Sequence, residues 1–229
     1  MTVAAPRPKD DARASRASRR IVLAVLCLGF LMVILDGTIV SVALPTIQDR
    51  LGFGASELAW VVNAYLVTFG GLLLLAGRAG DLIGRRRVFI AGLVVFTLAS
   101  LLCGLAQTPG QLVGARLLQG AGGALSSAVI LGMLAALFPE PGERARAFAV
   151  YAFVGATGAS LGTAAGGLLT DALGWRWIFL VNIPIGIATV ALAFRTLDPD
   201  TGLGVERGAD VAGAALIVAA LMIGLFAIV

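Results

Sequence analysis

Residues 77–89 read Gly77-Arg-Ala-Gly-Asp81-Leu-Ile-Gly84-Arg-Arg86-Arg-Val-Phe89, and residues 167–179 read Gly167-Leu-Leu-Thr-Asp171-Ala-Leu-Gly174-Trp-Arg176-Trp-Ile-Phe179. Gly, Asp, Gly, Arg and Phe recur in the same order at one constant offset (167 − 77 = 90 positions). What separates the two copies decides what the repeat means, and that is set by the apolar runs around them.

Of the 229 residues, 59% are hydrophobic and 13% charged, and the mean hydropathy is +0.98. A soluble domain carries about a quarter charged residues. The polar residues cluster, leaving runs of about 20 apolar residues, the length a helix needs to cross a hydrocarbon core of about 30 Å. The fold class is therefore an all-α polytopic membrane protein with the lipid bilayer as its partner.

Apolar runs and breakers give seven expected spans: 21–44, 57–77, 88–106, 111–138, 146–169, 176–197 and 211–229. Pro45 is taken to close the first, Pro109-Gly110 to precede the fourth, and Pro139-Glu-Pro-Gly142 to follow it. The organisation is a disordered basic tail (1–20), a six-span bundle (21–197), a loop (198–210) and a seventh span (211–229). The tail has the pattern of neither a cleaved signal nor a transit peptide.

Lys and Arg counts orient these spans. The tail carries Arg7, Lys9, Arg13, Arg16, Arg19 and Arg20. The loop after span two has Arg78, Arg85, Arg86 and Arg87, and the loop after span four has Arg144 and Arg146. The opposite side has only Arg50 and Arg176. The expectation is a multi-pass protein of the cell membrane with a cytoplasmic N-terminus. Seven spans then place Val229 at the outer face with no polar tail behind it, as in a truncated chain. Three spans separate the two motif copies, so the triplets that carry them have inverted topology, the construction of many transporter bundles.

The net charge of +4 and pI near 9.8 come from tail and loop arginines, which argues against a nucleic-acid partner. The chain has no His, excluding His-based catalysis and His metal sites. Cys27 and Cys103 lie in apolar runs and read as small buried hydrophobes. Phosphate-binding loops, metal-ligand clusters and a nucleophile with its base are all missing. Gly120-Ala-Gly122-Gly123 falls inside an apolar helix. Enzyme function is not expected, and neither is a metal or an organic cofactor.

Two charges fall within spans, Asp36 in the first and Arg116 in the fourth. Each costs about 2.5–3.5 kcal/mol near the bilayer centre unless it faces a partner or a wet cavity. At 1.5 Å per residue they lie at similar depth, about 12 Å and about 9 Å from the outer ends of their spans. The reading is that they face one central cavity and that Asp36 exchanges a proton during transport; a static ion pair is the alternative. Gln119 and Gly120, at i+3 and i+4 from Arg116, share its face. Gln119 is placed with the pair, whereas Asn63 and Asn182 read as plain interhelical hydrogen-bonders. In span five Gly158, Gly162 and Gly166 recur every four residues, with Gly167 beside them, and mark a close helix contact.

These residues together resemble the major facilitator superfamily. Gly77 to Arg87 resembles its loop motif between spans two and three, and Arg116-Leu-Leu-Gln119-Gly120 its span-four motif. Leu35-Asp36-Gly-Thr38-Ile39-Val40-Ser-Val42-Ala43-Leu44-Pro45 is similar to the span-one motif of the fourteen-span drug:proton antiporters. Trp175-Arg176-Trp177-Ile178-Phe179-Leu-Val-Asn182-Ile-Pro184-Ile-Gly186 is similar to their span-six start. The resemblance implies the N-terminal six-helix bundle of two inverted three-helix repeats plus a seventh helix. It also implies a cytoplasmic gating loop (Gly77, Asp81, Gly84, Arg85, Arg86), with Asp36, Arg116 and Gln119 serving proton coupling or substrate binding. The implied function is proton-coupled efflux of amphipathic organic compounds, driven by the proton gradient alone. Alternatives are symport, or a half-transporter that needs a missing C-terminal half or a second copy. Three positions depart from the family pattern: Thr163 where the antiporters have Pro, Leu82 where a basic residue is usual, and Ser41 where Asn is common.

Overall fold

In lipid every backbone N–H and C=O must be paired within the protein, which leaves helices as the economical way for these apolar runs to cross. The computed structural model describes residues 8–200, 202–204 and the single positions 213, 216, 219, 220, 223 and 224, with backbone alone for 8–17. Its helices are α1 (Pro8–Leu51), α2 (Trp60–Ile83), α3 (Arg85–Leu105), α4 (Pro109–Leu137), α5 (Pro141–Leu173), α6 (Trp177–Leu180) and α7 (Asn182–Thr196). Among the described residues six stretches are long and apolar enough to span a membrane, the sixth formed by α6 and α7 together. The expected seventh span, 211–229, lies largely outside the described residues, as does the tail before Pro8.

Several boundaries differ from those expected, each for a local reason. Helix α1 is already helical at Pro8, ahead of the expected start at 21, because the Arg- and Ala-rich stretch that follows is made of good helix formers. It also continues seven residues past Leu44, since Pro45 sits inside the helix rather than ending it. A proline there removes one hydrogen bond, a loss that membrane helices tolerate. The expected loop of residues 78–87 shrinks to one residue, Gly84, whose φ of +105° only glycine adopts readily. Pro109 opens α4, where Thr108 caps by accepting a hydrogen bond from the Gln111 N–H at 3.3 Å.

The repeat is visible in the backbone. Gly174 ends α5 as Gly84 ends α2, with φ of +90°, and each donates its N–H to the carbonyl four residues back at 3.1 Å. Helix α2 lies along α4 and α5 lies along α1, so the second helix of each triplet packs on the first helix of the other. The most extensive contact is α3 on α4.

Glycine sets those approaches. A Cβ on Gly92 of α3 would fall 2.4 Å from the Ser126 backbone nitrogen of α4, and one on Gly122 would fall 2.4 Å from the Phe96 nitrogen. On α5, Gly158, Gly162 and Gly166 meet Leu31, Thr38 and Ile39 of α1 at distances that leave no room for a Cβ without displacement. Gly167 departs from the expected stripe: nothing lies within 4 Å of a Cβ placed there, because it falls on the next face of the helix. Two apolar cores result. One gathers Leu26, Met32, Phe89, Phe96 and Ile130 toward the arginine-rich end, and the other gathers Ile39, Ile47, Val61, Leu112 and Phe179 toward the opposite end.

Gly92→Ala should therefore destabilise the bundle by about 1–3 kcal/mol through forced separation of α3 and α4, whereas Gly167→Ala should change stability little. Thermal unfolding of both variants in detergent checks the contrast.

Candidate functional site

Between the two cores runs a polar layer built by five elements. Helix α1 supplies Asp36, α2 Tyr65, α3 Ser100 and Cys103, α4 Arg116 and Gln119, and α7 Asn182. Glycines again allow the meeting. A Cβ on Gly120 would fall 2.3 Å from the Tyr65 carbonyl, and one on Gly186 would fall 2.0 Å from Thr97 Oγ1. The first brings α2 against α4 beside Arg116, and the second brings α7 against α3 and so carries Asn182 inward.

Asp36 and Gln119 are 0% exposed, Arg116 and Asn182 1%. Arg116 Nη1 donates to Asp36 Oδ2 at 2.5 Å and to Gln119 Oε1 at 2.7 Å, and its Nε donates to the Val61 carbonyl at 2.9 Å. The guanidinium lies over the Tyr65 ring, 4.4 Å from the centroid, an attraction that grows where water is excluded. Gln119 Nε2 donates to Asp36 Oδ1 at 2.7 Å and to Ser100 Oγ at 2.9 Å. Asn182 Nδ2 donates to Asp36 Oδ1 at 3.3 Å, and the Cys103 thiol donates to Gln119 Oε1 at 3.5 Å. A charge pair out of water is tolerable only when its remaining hydrogen-bonding capacity is used in this way.

The structure thus brings Asp36, Arg116 and Gln119 together, but sealed. Among the described residues the pair has almost no exposed surface, with Tyr65 and Asn182 packed beside it. Asn182, Ser100, Cys103 and Tyr65 join a network in which the sequence reading did not place them. The position of Ser100 and Cys103, three apart on one helix face, was the available signal for α3. For Asn182 the signal was a polar side chain within an apolar span. Among the described residues no hydrogen bond ties Asn63 to this network.

A second cluster sits at the arginine-rich end. Asp81 is in the last turn of α2, not in a loop, and its carboxylate pairs with Arg85 at 3.0 Å. Arg85 also donates to the Gly132 carbonyl of α4 at 3.0 Å. The Asp200 carboxylate accepts the Arg85 and Arg86 backbone N–H groups at 2.5 and 3.1 Å, capping α3 where its dipole favours negative charge. Arg86 Nη2 donates to the Phe194 carbonyl at 3.0 Å, and the Leu203 and Gly204 N–H groups donate to the Asp81 and Leu82 carbonyls. The segment after α7 is thereby tied to the first motif copy. A Cβ on Gly77 would meet nothing within 4 Å.

The family description Major Facilitator Superfamily matches residues 26–229. The chain is 46% identical over 194 residues to the puromycin resistance protein pur8 of Streptomyces alboniger, covering 85% of this chain and 38% of that protein. It is 44% identical over 182 residues to the uncharacterized MFS-type transporter EfpA of Mycobacterium tuberculosis, covering 79% of this chain and 34% of the relative. It is also 44% identical over 185 residues to the cephamycin export protein CmcT of Amycolatopsis lactamdurans, covering 81% and 38% respectively. The matched chain thus spans little more than a third of these relatives.

Removing one member of the buried pair strands the other. Arg116→Leu should cost about 3–5 kcal/mol of stability, while the double variant Asp36→Leu/Arg116→Leu should recover much of that loss. A double-mutant cycle read by unfolding in detergent checks both signs.

Proposed function

The chain belongs to the major facilitator superfamily, a family of membrane transporters and not enzymes, and from that premise we propose that it forms the N-terminal part of a proton-coupled exporter of amphipathic organic compounds. The observation that carries this reading is the wholly buried Asp36 carboxylate held by Arg116, Gln119 and Asn182. Adding a proton to Asp36 removes the charge that holds Arg116, and the guanidinium is then free to find another partner. A carboxyl group with two such arrangements couples protonation to conformation, which a fixed interhelical strut does not.

The relatives' names supply the substrate class, since puromycin resistance and cephamycin export both concern antibiotics. One charge moved across 100 mV is worth about 2.3 kcal/mol, more than enough to sustain a tenfold gradient. The transporter needs no cofactor beyond that gradient. In this reading the arginine-rich end is cytoplasmic, in the cell membrane, and the Asp81–Arg85 cluster is a gate on that side. A second half, in the same polypeptide or a second copy, covers the face of α5, whose most apolar window is only 17% buried. Symport is the second reading, favoured by α5 running unbroken through Thr163, whose hydroxyl bonds the Ala159 carbonyl at 3.1 Å.

The test is proton release from acid-loaded everted vesicles on adding a cationic dye. Release that falls at least roughly tenfold in Asp36→Asn, equivalent to about 1.4 kcal/mol or more, supports the proposal. Equal release from both proteins would sink the coupling role, and dye leaving preloaded vesicles together with the protons would assign symport.

A further inference from the structure

Two oxygens of the buried network have no hydrogen-bond partner, Tyr65 Oη and Asn182 Oδ1, and of the two only Asn182 Oδ1 belongs to a side chain bonded to Asp36. Asn182 Oδ1 is buried and accepts no hydrogen bond, although the same amide donates through Nδ2 to Asp36. A carboxylate only accepts, so all three side chains bonded to Asp36 present N–H groups to it: Arg116, Gln119 and Asn182. When Asp36 takes a proton it acquires an O–H that must donate, and at least one of the three must offer an acceptor instead.

Two of them cannot do so cheaply. A guanidinium has no acceptor at all. Gln119 has one, but its Oε1 receives Arg116 and Cys103 while its Nε2 serves Asp36 and Ser100, so turning it over breaks four hydrogen bonds. The Ser100 hydroxyl is itself spent on the Phe96 carbonyl at 2.8 Å. Turning the Asn182 amide breaks only its 3.3 Å bond to Asp36 and swings the idle oxygen toward the new proton.

We infer that Asn182 is a positioning residue whose amide reverses as Asp36 gains or loses its proton, donating to the carboxylate and accepting from the acid. This deepens the proton-coupling reading and rests on it. The titratable and charged groups around Asp36 are Arg116 from α4, Tyr65 from α2 and Cys103 from α3; no charged residue of α5, α6 or α7 bonds to it among the described residues. Asn182 stands at the first turn of α7, beside the break at Val181 that separates α6 from α7. Its reversal therefore acts where the sixth span is already interrupted.

The test is infrared difference spectroscopy across an acid-to-neutral titration of the 229-residue chain in lipid bilayers. The Asp36 acid band is identified by its loss in Asp36→Asn, and the amide band by isotope-labelled asparagine. In the unsubstituted chain the amide band should change over the same pH interval as the Asp36 band. A fixed donor at position 182 would stabilise only the carboxylate, so its removal would raise the pH of half-protonation. The reversing amide serves the acid as its single acceptor but the carboxylate as one donor of three, so Asn182→Leu should lower that pH by about one unit, a tenfold effect. Asn182→Ser, which both donates and accepts, should restore most of the difference; Asn182→Ala replaces the Leu variant if that fails to fold. A midpoint that rises or stays in place overturns the inference while leaving Asp36 as the proton carrier. An Asp36 band that never titrates overturns both.

Discussion

The pairing of Asp36 with Arg116 is the constraint to which the rest of the bundle answers. Neither charge has a tolerable place in hydrocarbon alone, and each belongs to the first helix of its triplet. Bringing them to 2.5 Å draws α1 against α4, with α2, α3 and α7 supplying the polar groups around the pair. The glycines follow from that demand. Gly120, Gly122 and Gly92 permit α2 and α3 to close on α4, and Gly158, Gly162 and Gly166 permit α5 to close on α1. The two apolar cores lie on either side of the polar layer, so the network has packed side chains both above and below it.

Much of this was legible in the residues. The spans follow from apolar length, the inverted pairing from the 90-residue offset, and the meeting of Asp36 and Arg116 from the cost of leaving either alone. Gln119 followed from helical spacing. The helix ends were harder to read, for definite reasons. Charged residues such as Arg78 and Asp81 look like loop in a hydropathy pattern, yet the backbone stays helical until a residue that favours positive φ is reached at Gly84. Pro45 looks like a stop, but a long membrane helix tolerates one missing hydrogen bond. Asn182 and Ser100 were undervalued because a single polar residue in an apolar span gives no sign of what it faces; that depends on crossing geometry, here on Gly186 against Thr97.

The arginine-rich end shows the same economy in another form. One residue joins α2 to α3, and the carboxylate that caps α3 comes from Asp200, 115 positions along the chain from Arg85. The last part of the bundle thus closes over the first repeat copy, with the Leu203 and Gly204 amides bonded to carbonyls of the α2 end. Movement at the base of α7 and movement at the α2–α3 joint are mechanically one event. The second copy keeps the arginine contact, Arg176 donating to the Ala106 carbonyl at 3.0 Å as Arg86 does to Phe194, but Gly174 meets open space where Gly84 meets Asp200. The pseudo-symmetry of the backbone is therefore broken by this one strap.

The span of chain between the two halves of the ion pair has a consequence for how the protein is made. Asp36 emerges 80 residues ahead of Arg116, roughly 4–16 s earlier at ribosomal speeds of about 5–20 residues per second. For that interval the first helix carries a carboxyl group whose permanent counter-charge has not yet been synthesised. Its final seat in the lipid has to wait for the fourth helix, so the birth of this bundle is paced by the arrival of one arginine.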